Sequence, residues 1–174
     1  MGLTAIVLLG VAKLWMAIGN VSLFPIRWEP ELLPLSLAIS LGIVALSALL
    51  YRVWPAYRLS TIVYLRLVVR PLHWLDLIWL GLLPGMSEEL LFRGTIVPSF
   101  GGGWLALAVS SVAFGAMHIS GRQYWPYAVW AGCVGAILGY SAIATGNLLV
   151  PIAIHISTNL LSGASWKWYF SRHD

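Results

Sequence analysis

Long apolar runs dominate the chain, and polar residues collect between them. A helix that crosses the roughly 30 Å hydrocarbon core of a bilayer needs about 17–25 mostly apolar residues. Six stretches meet that need, at about 2–24, 32–54, 74–96, 104–120, 127–145 and 148–165. The breaks between them carry turn residues: Pro25 and Pro30, Gly101-Gly102-Gly103, Ser120-Gly121 with Pro126, and Thr145-Gly146-Asn147. Residues 56–72 break the pattern. Arg58, Arg66 and Arg70 interleave there with Leu59, Ile62, Val63, Leu65 and Leu67, which predicts a short amphipathic helix in the headgroup region. The predicted fold is all-α: a polytopic membrane protein of about six transmembrane helices plus one short interfacial helix, in one domain over residues 1–174.

Composition supports this. Hydrophobic residues make up 60% of the chain and charged residues 9%, against about 25% charged in a soluble domain. Mean hydropathy is +0.86. The net charge of +4 is spread over short loops with no basic stripe, which excludes a nucleic-acid partner and leaves the lipid bilayer with its anionic headgroups. The single cysteine, Cys133, permits no intrachain disulfide and reads as a small apolar core residue. Residues 2–24 lack a small-residue cleavage pattern and read as a retained first helix. Gly132, Gly135 and Gly139 mark a helix that others approach closely.

Arg52, Arg58, Arg66 and Arg70 fall between spans two and three, Arg122 after span four, and Lys167 and Arg172 in the tail. The positive-inside rule then puts both termini in the cytoplasm, in a plasma (inner) membrane.

Against that background three charges stand out in the third span: Glu88, Glu89 and Arg93. Charges inside a bilayer are costly and are kept mainly for pairing or function. Glu89 and Arg93 are four apart, on one helix face, and predict an ion pair. Glu88 points about 100° away and is left over. Span four ends Phe114-x-x-x-His118, and span six carries His155-x-x-x-Asn159 on one stripe. A carboxylate that takes a proton from water, an imidazole that holds that water and a His–Asn pair that stabilises an oxyanion together suit hydrolysis. No serine or cysteine is obviously paired with either histidine, and neither Ser87 nor Ser157 shares a helix face with a base, which disfavours a covalent nucleophile. At about 1.5 Å per residue, Glu88 lies roughly 21 Å into its span and His118 roughly 10 Å nearer the cytoplasm, a mismatch in depth.

Glu88-Glu89-x-x-x-Arg93, Phe114-x-x-x-His118 and His155-x-x-x-Asn159 resemble, in order, the three motifs of the CPBP intramembrane proteases. This is the CAAX-protease and bacteriocin-processing (Abi) family, which includes the eukaryotic endopeptidase that trims prenylated CAAX proteins. The resemblance covers about residues 74–165. It implies Glu88 as the general base, His118 as its helper, His155 and Asn159 as oxyanion stabilisers, and Glu89 and Arg93, with Phe114, as a supporting set. The implied reaction is peptide-bond hydrolysis between spans three, four and six. Its substrate is a membrane-anchored protein or peptide, in CAAX-type processing or in bacteriocin maturation and immunity. A metal-free glutamate mechanism is the favoured expectation, because no helical His-Glu-x-x-His is present. The alternative makes Glu88, His118 and His155 ligands of Zn2+ or another divalent metal. The rival class is a non-enzymatic membrane protein, a proton-coupled small transporter or a scaffold, in which the Glu/His set is a relay or a packing network.

Overall fold

The computed structural model describes residues 1–173, with side chains as far as Arg172. Among the described residues all regular structure is helical. The helices are α1 (Gly2–Gly19), α2 (Leu33–Val53), α3 (Pro55–Val68), α4 (Leu77–Leu91), α5 (Trp104–Met117), α6 (Trp125–Thr145) and α7 (Leu149–His173). The six expected spans correspond to all of these except α3. Their ends differ in places. The first helix stops at Gly19, where Asn20 adopts a left-handed conformation (φ 48°) and caps it. The last runs on to His173, so the expected Trp166-Lys167-Trp168-Tyr169 anchor is helical too.

Among the described residues three segments are long and apolar enough to cross a membrane by length and composition: Gly2–Gly19, Pro30–Val53 and Arg122–Thr145. Of the helices that carry the acid, histidine and amide groups, α4 is irregular and α5 is short. α4 holds Pro84 and passes at Phe92–Ile96 into one wide π-helical turn, continued by Val97–Ser99. The Thr95 hydroxyl donates to the Leu90 carbonyl five residues back (2.9 Å), satisfying an acceptor within this wide turn. α5 is only 14 residues long. π-turns of this kind are rare and cluster at functional sites.

α5 and α6 meet through small residues. A Cβ at Gly115 would lie 2.7 Å from the Ala128 carbonyl oxygen and 3.1 Å from the Gly132 backbone. Neither is the end of a flexible side chain, so the helices would have to separate. Gly115→Ala is expected to destabilise the protein by about 1–3 kcal/mol, read as a lowered unfolding midpoint in detergent. α4 packs on α1 and α7, and α7 also packs on α2. Apolar clusters fill these seams: Leu8, Leu91, Phe92 and Phe114 join α1, α4 and α5, while Ile43, Leu138 and Ile154 join α2, α6 and α7.

At one end of the bundle the loop after α1 is clasped to the α6–α7 turn. The Asn147 side chain is 1% exposed. Its Oδ1 accepts from the backbone N–H of Arg27 (3.1 Å) and Leu149 (3.0 Å), and its Nδ2 donates to the Arg27 carbonyl (2.9 Å). At the other end Lys167 Nζ donates to the Arg70 carbonyl (3.2 Å), and Tyr51 packs edge-on against Trp166. That end also holds Arg58, whose guanidinium donates to the Tyr51 and Arg52 carbonyls (2.8 and 2.7 Å). The short helix α3 is more than a surface connector. Tyr57, Ser60 and Thr61 on its inner face are buried, while Leu59, Arg58 and Arg66 face outward.

Candidate active site

A central cavity of about 330 Å³ receives side chains from all seven helices. Glu88, His118, His155 and Asn159 all line it, together with Phe114. The motifs therefore reach one space although their helices are separate in sequence. The Phe114 ring then spans the two histidines, 4.8 Å from the His118 ring and 5.9 Å from that of His155.

Glu89 and Arg93 form the expected i,i+4 ion pair, with Arg93 Nη1 donating to Glu89 Oε1 at 2.8 Å and both side chains 0% exposed. The pair does more than neutralise itself. Arg93 Nη2 donates to the Gly135 carbonyl on α6 (2.8 Å), and the guanidinium lies 4.4 Å from the centroid of the Phe114 ring. Glu89 Oε1 also sits 2.7 Å from His155 Nδ1. The pair expected from the four-residue spacing thus extends to further partners. They form a buried brace that joins α4, α6 and α7 and sets the angle of one imidazole.

Both histidines have one ring nitrogen committed. A carbonyl can only accept, so His118 Nδ1, 2.8 Å from the Phe114 carbonyl, is the donor there. Glu89 Oε1, which already accepts from Arg93, likewise accepts from His155 Nδ1. A hydrogen bond at one nitrogen decides the role of the other. In the neutral rings this leaves Nε2 of each histidine as a lone-pair acceptor. His155 Nε2 lies 4.0 Å from Glu88 Oε2, beyond direct hydrogen-bond length. Glu88 is 8% exposed, and its Oε2 is buried without a hydrogen-bond partner among the described residues. Asn159 Nδ2 donates to the Leu80 carbonyl (3.3 Å), which ties α7 to α4.

Among the described residues no group of three or more His, Cys, Asp or Glu side chains is placed to hold a metal ion.

The cavity also has walls that the motifs do not mention. Thr61 and Tyr64 from α3, Tyr127 from α6 and Thr158 from α7 line it. A signal for the α3 residues was available: Tyr57, Thr61 and Tyr64 recur at four and three residues, one inner stripe of a helix whose arginines drew the eye outward.

The fold and site define a polytopic helical membrane protein with a buried acid–histidine centre. Residues 70–161, more than half of the chain, match the model of the Rce1-like family, described as type II CAAX prenyl endopeptidase Rce1-like, and the chain belongs to that family. The chain is also similar to the uncharacterized protein YpbD of Bacillus subtilis (strain 168), with 29% identity over 98 residues, 56% of this chain and 49% of that protein. The chain thus matches about half the length of that relative. No solved structure matches it.

Proposed function

We propose that the protein is an intramembrane endopeptidase that hydrolyses a peptide bond of a membrane-anchored protein or peptide. Glu88 takes the proton from the attacking water, with His118 Nε2 helping to hold that water. His155, in the protonated form that carries an N–H on Nε2 as well as on Nδ1, and Asn159 stabilise the oxyanion that forms on the scissile carbonyl, and the tetrahedral intermediate then collapses with proton return to the leaving amine. The observation that carries this reading is Glu88 itself: a carboxylate buried in a membrane protein, its Oε2 without a hydrogen-bond partner among the described residues, beside two imidazoles whose Nδ1 atoms are already committed. A packing network would pair its acid, as Glu89 is paired.

The substrate class follows the family, with CAAX-type prenyl-protein processing and bacteriocin maturation or immunity as the two candidate tasks. The arginine-rich end faces the cytoplasm of a plasma (inner) membrane. Catalysis uses the glutamate without a metal. Protein purified and stripped with a strong chelator is expected to keep its activity, measured on a quenched-fluorescent prenylated peptide; activity lost on stripping and restored by zinc would overturn the metal-free mechanism. The function itself is tested by comparing protein N-termini in membranes carrying the wild type and Glu88→Gln. New N-termini that depend on Glu88 are the expected result. Identical sets, with Glu88→Gln instead abolishing proton flux in proteoliposomes, would favour a transporter.

A further inference from the structure

Tyr64 on α3 and Tyr127 on α6 stack face to face, 4.3 Å between centroids, at the wall of the cavity. Their rings lie 5.8 and 6.3 Å from that of His118. A third tyrosine shows how such a group is normally settled. Tyr57 packs on the other side of Tyr127, and its hydroxyl is hydrogen-bonded to that of Ser47 at 2.7 Å. The hydroxyls of Tyr64 and Tyr127 make no hydrogen bond among the described residues. Both residues are half-buried, and neither hydroxyl is among the side-chain atoms buried without a partner, so each O–H is open to the cavity they line. Phenylalanine would supply the same stacking but no donor there.

Position adds to this. α7 brings His155, Thr158 and Asn159 to the cavity, and Thr158 Oγ1 is buried without a partner. Glu88 and His118 line the same space. Burial, and after it the charge of Glu88, hold the Tyr64 hydroxyl well above its ordinary pKa, so it remains an O–H donor. A peptide bond that is to be cut must present its carbonyl. In a membrane, a helical substrate has its carbonyls satisfied internally, and an unwound one does not. The unwound stretch needs donors inside the cavity.

Building on the endopeptidase reading, we propose that Tyr64 and Tyr127 bind the substrate, donating hydrogen bonds from their hydroxyls to main-chain carbonyls beside the scissile bond and so holding an unwound segment against the catalytic groups. α3, which lies outside the stretch that matches the family, thereby becomes part of the substrate site.

The test uses the full-length protein in proteoliposomes and a quenched-fluorescent farnesylated CAAX peptide, with Tyr64→Phe, Tyr127→Phe and the double variant. Phe retains the stacked rings, and unfolding midpoints in detergent check that each variant is folded. Each single change is expected to raise KM about threefold to tenfold with kcat within about twofold, and the double change more. Equilibrium binding of the same peptide to Glu88→Gln protein, with and without the two Phe changes, should show the same loss of affinity. Unchanged KM and affinity in the double variant would sink the proposal and leave the endopeptidase reading intact, as would a fall in kcat at constant KM. A wild-type protein that binds the peptide through both hydroxyls yet never cleaves it would support the binding site and sink the endopeptidase reading. A peptide neither bound nor cleaved would overturn both.

Discussion

Glu88→Gln is expected to lower kcat by about 10²–10⁴-fold, the range for loss of a general base, while the unfolding midpoint in detergent stays close to that of the wild type. The amide has nearly the same shape as the carboxylate but cannot accept the proton of water. The separation of the two effects rests on the surroundings. Among the described residues Glu88 Oε2 takes no hydrogen bond, and His155 Nε2 is 4.0 Å away. Little native structure therefore depends on its charge. Cleavage and unfolding are measured on the same purified protein; an active variant would remove Glu88 from the chemistry, and a strongly destabilised one would make it part of the scaffold.

Glu89→Gln has the opposite emphasis. Its charge balances Arg93 with both side chains 0% exposed, and the same oxygen accepts from His155. Removing one member of a fully buried pair costs about 3–5 kcal/mol, because the remaining charge is left without a counterion. At about 2–4 °C per kcal/mol for a chain of this size, the midpoint should fall on the order of 10 °C. A second substitution separates charge from orientation. Glu89→Gln combined with Arg93→Met removes the stranded cation and should recover much of the stability. Activity should stay low, since His155 has then lost its charged Nδ1 partner. Full recovery of activity in the double variant would mean that Glu89 acts only through Arg93.

What could be read from the sequence was what repeats within one helix. The Glu89–Arg93 pair, the Phe114–His118 contact and the shared face of His155 and Asn159 all follow from four-residue spacing on a periodic backbone. The spans were legible because lipid demands a long apolar run. The contact between Glu89 and His155 was not, because it joins residues 66 apart, and nothing in either motif states how α7 is rotated against α4. Tyr64 was hidden for another reason. On α3 the arginines carry the obvious chemistry, and the inner stripe shows its use only once α6 and the cavity are placed against it. The break of α4 into a π-turn was also unforeseen. Gly94, Thr95 and Ile96 are weak helix formers and Pro98 follows, but a regular helix would have satisfied the same apolar pattern.

That π-turn at Phe92–Ile96 changes how this chain should be aligned with distant relatives. A wide turn takes in one residue more than an α-turn while advancing the helix about as far. Counting positions in threes and fours therefore holds as far as Arg93 and slips by one beyond it. Between two chains of this architecture, a single-residue gap just after the Arg93 position would record whether the wide turn is present. It need not signal any difference at Glu88 and Glu89, which precede the turn.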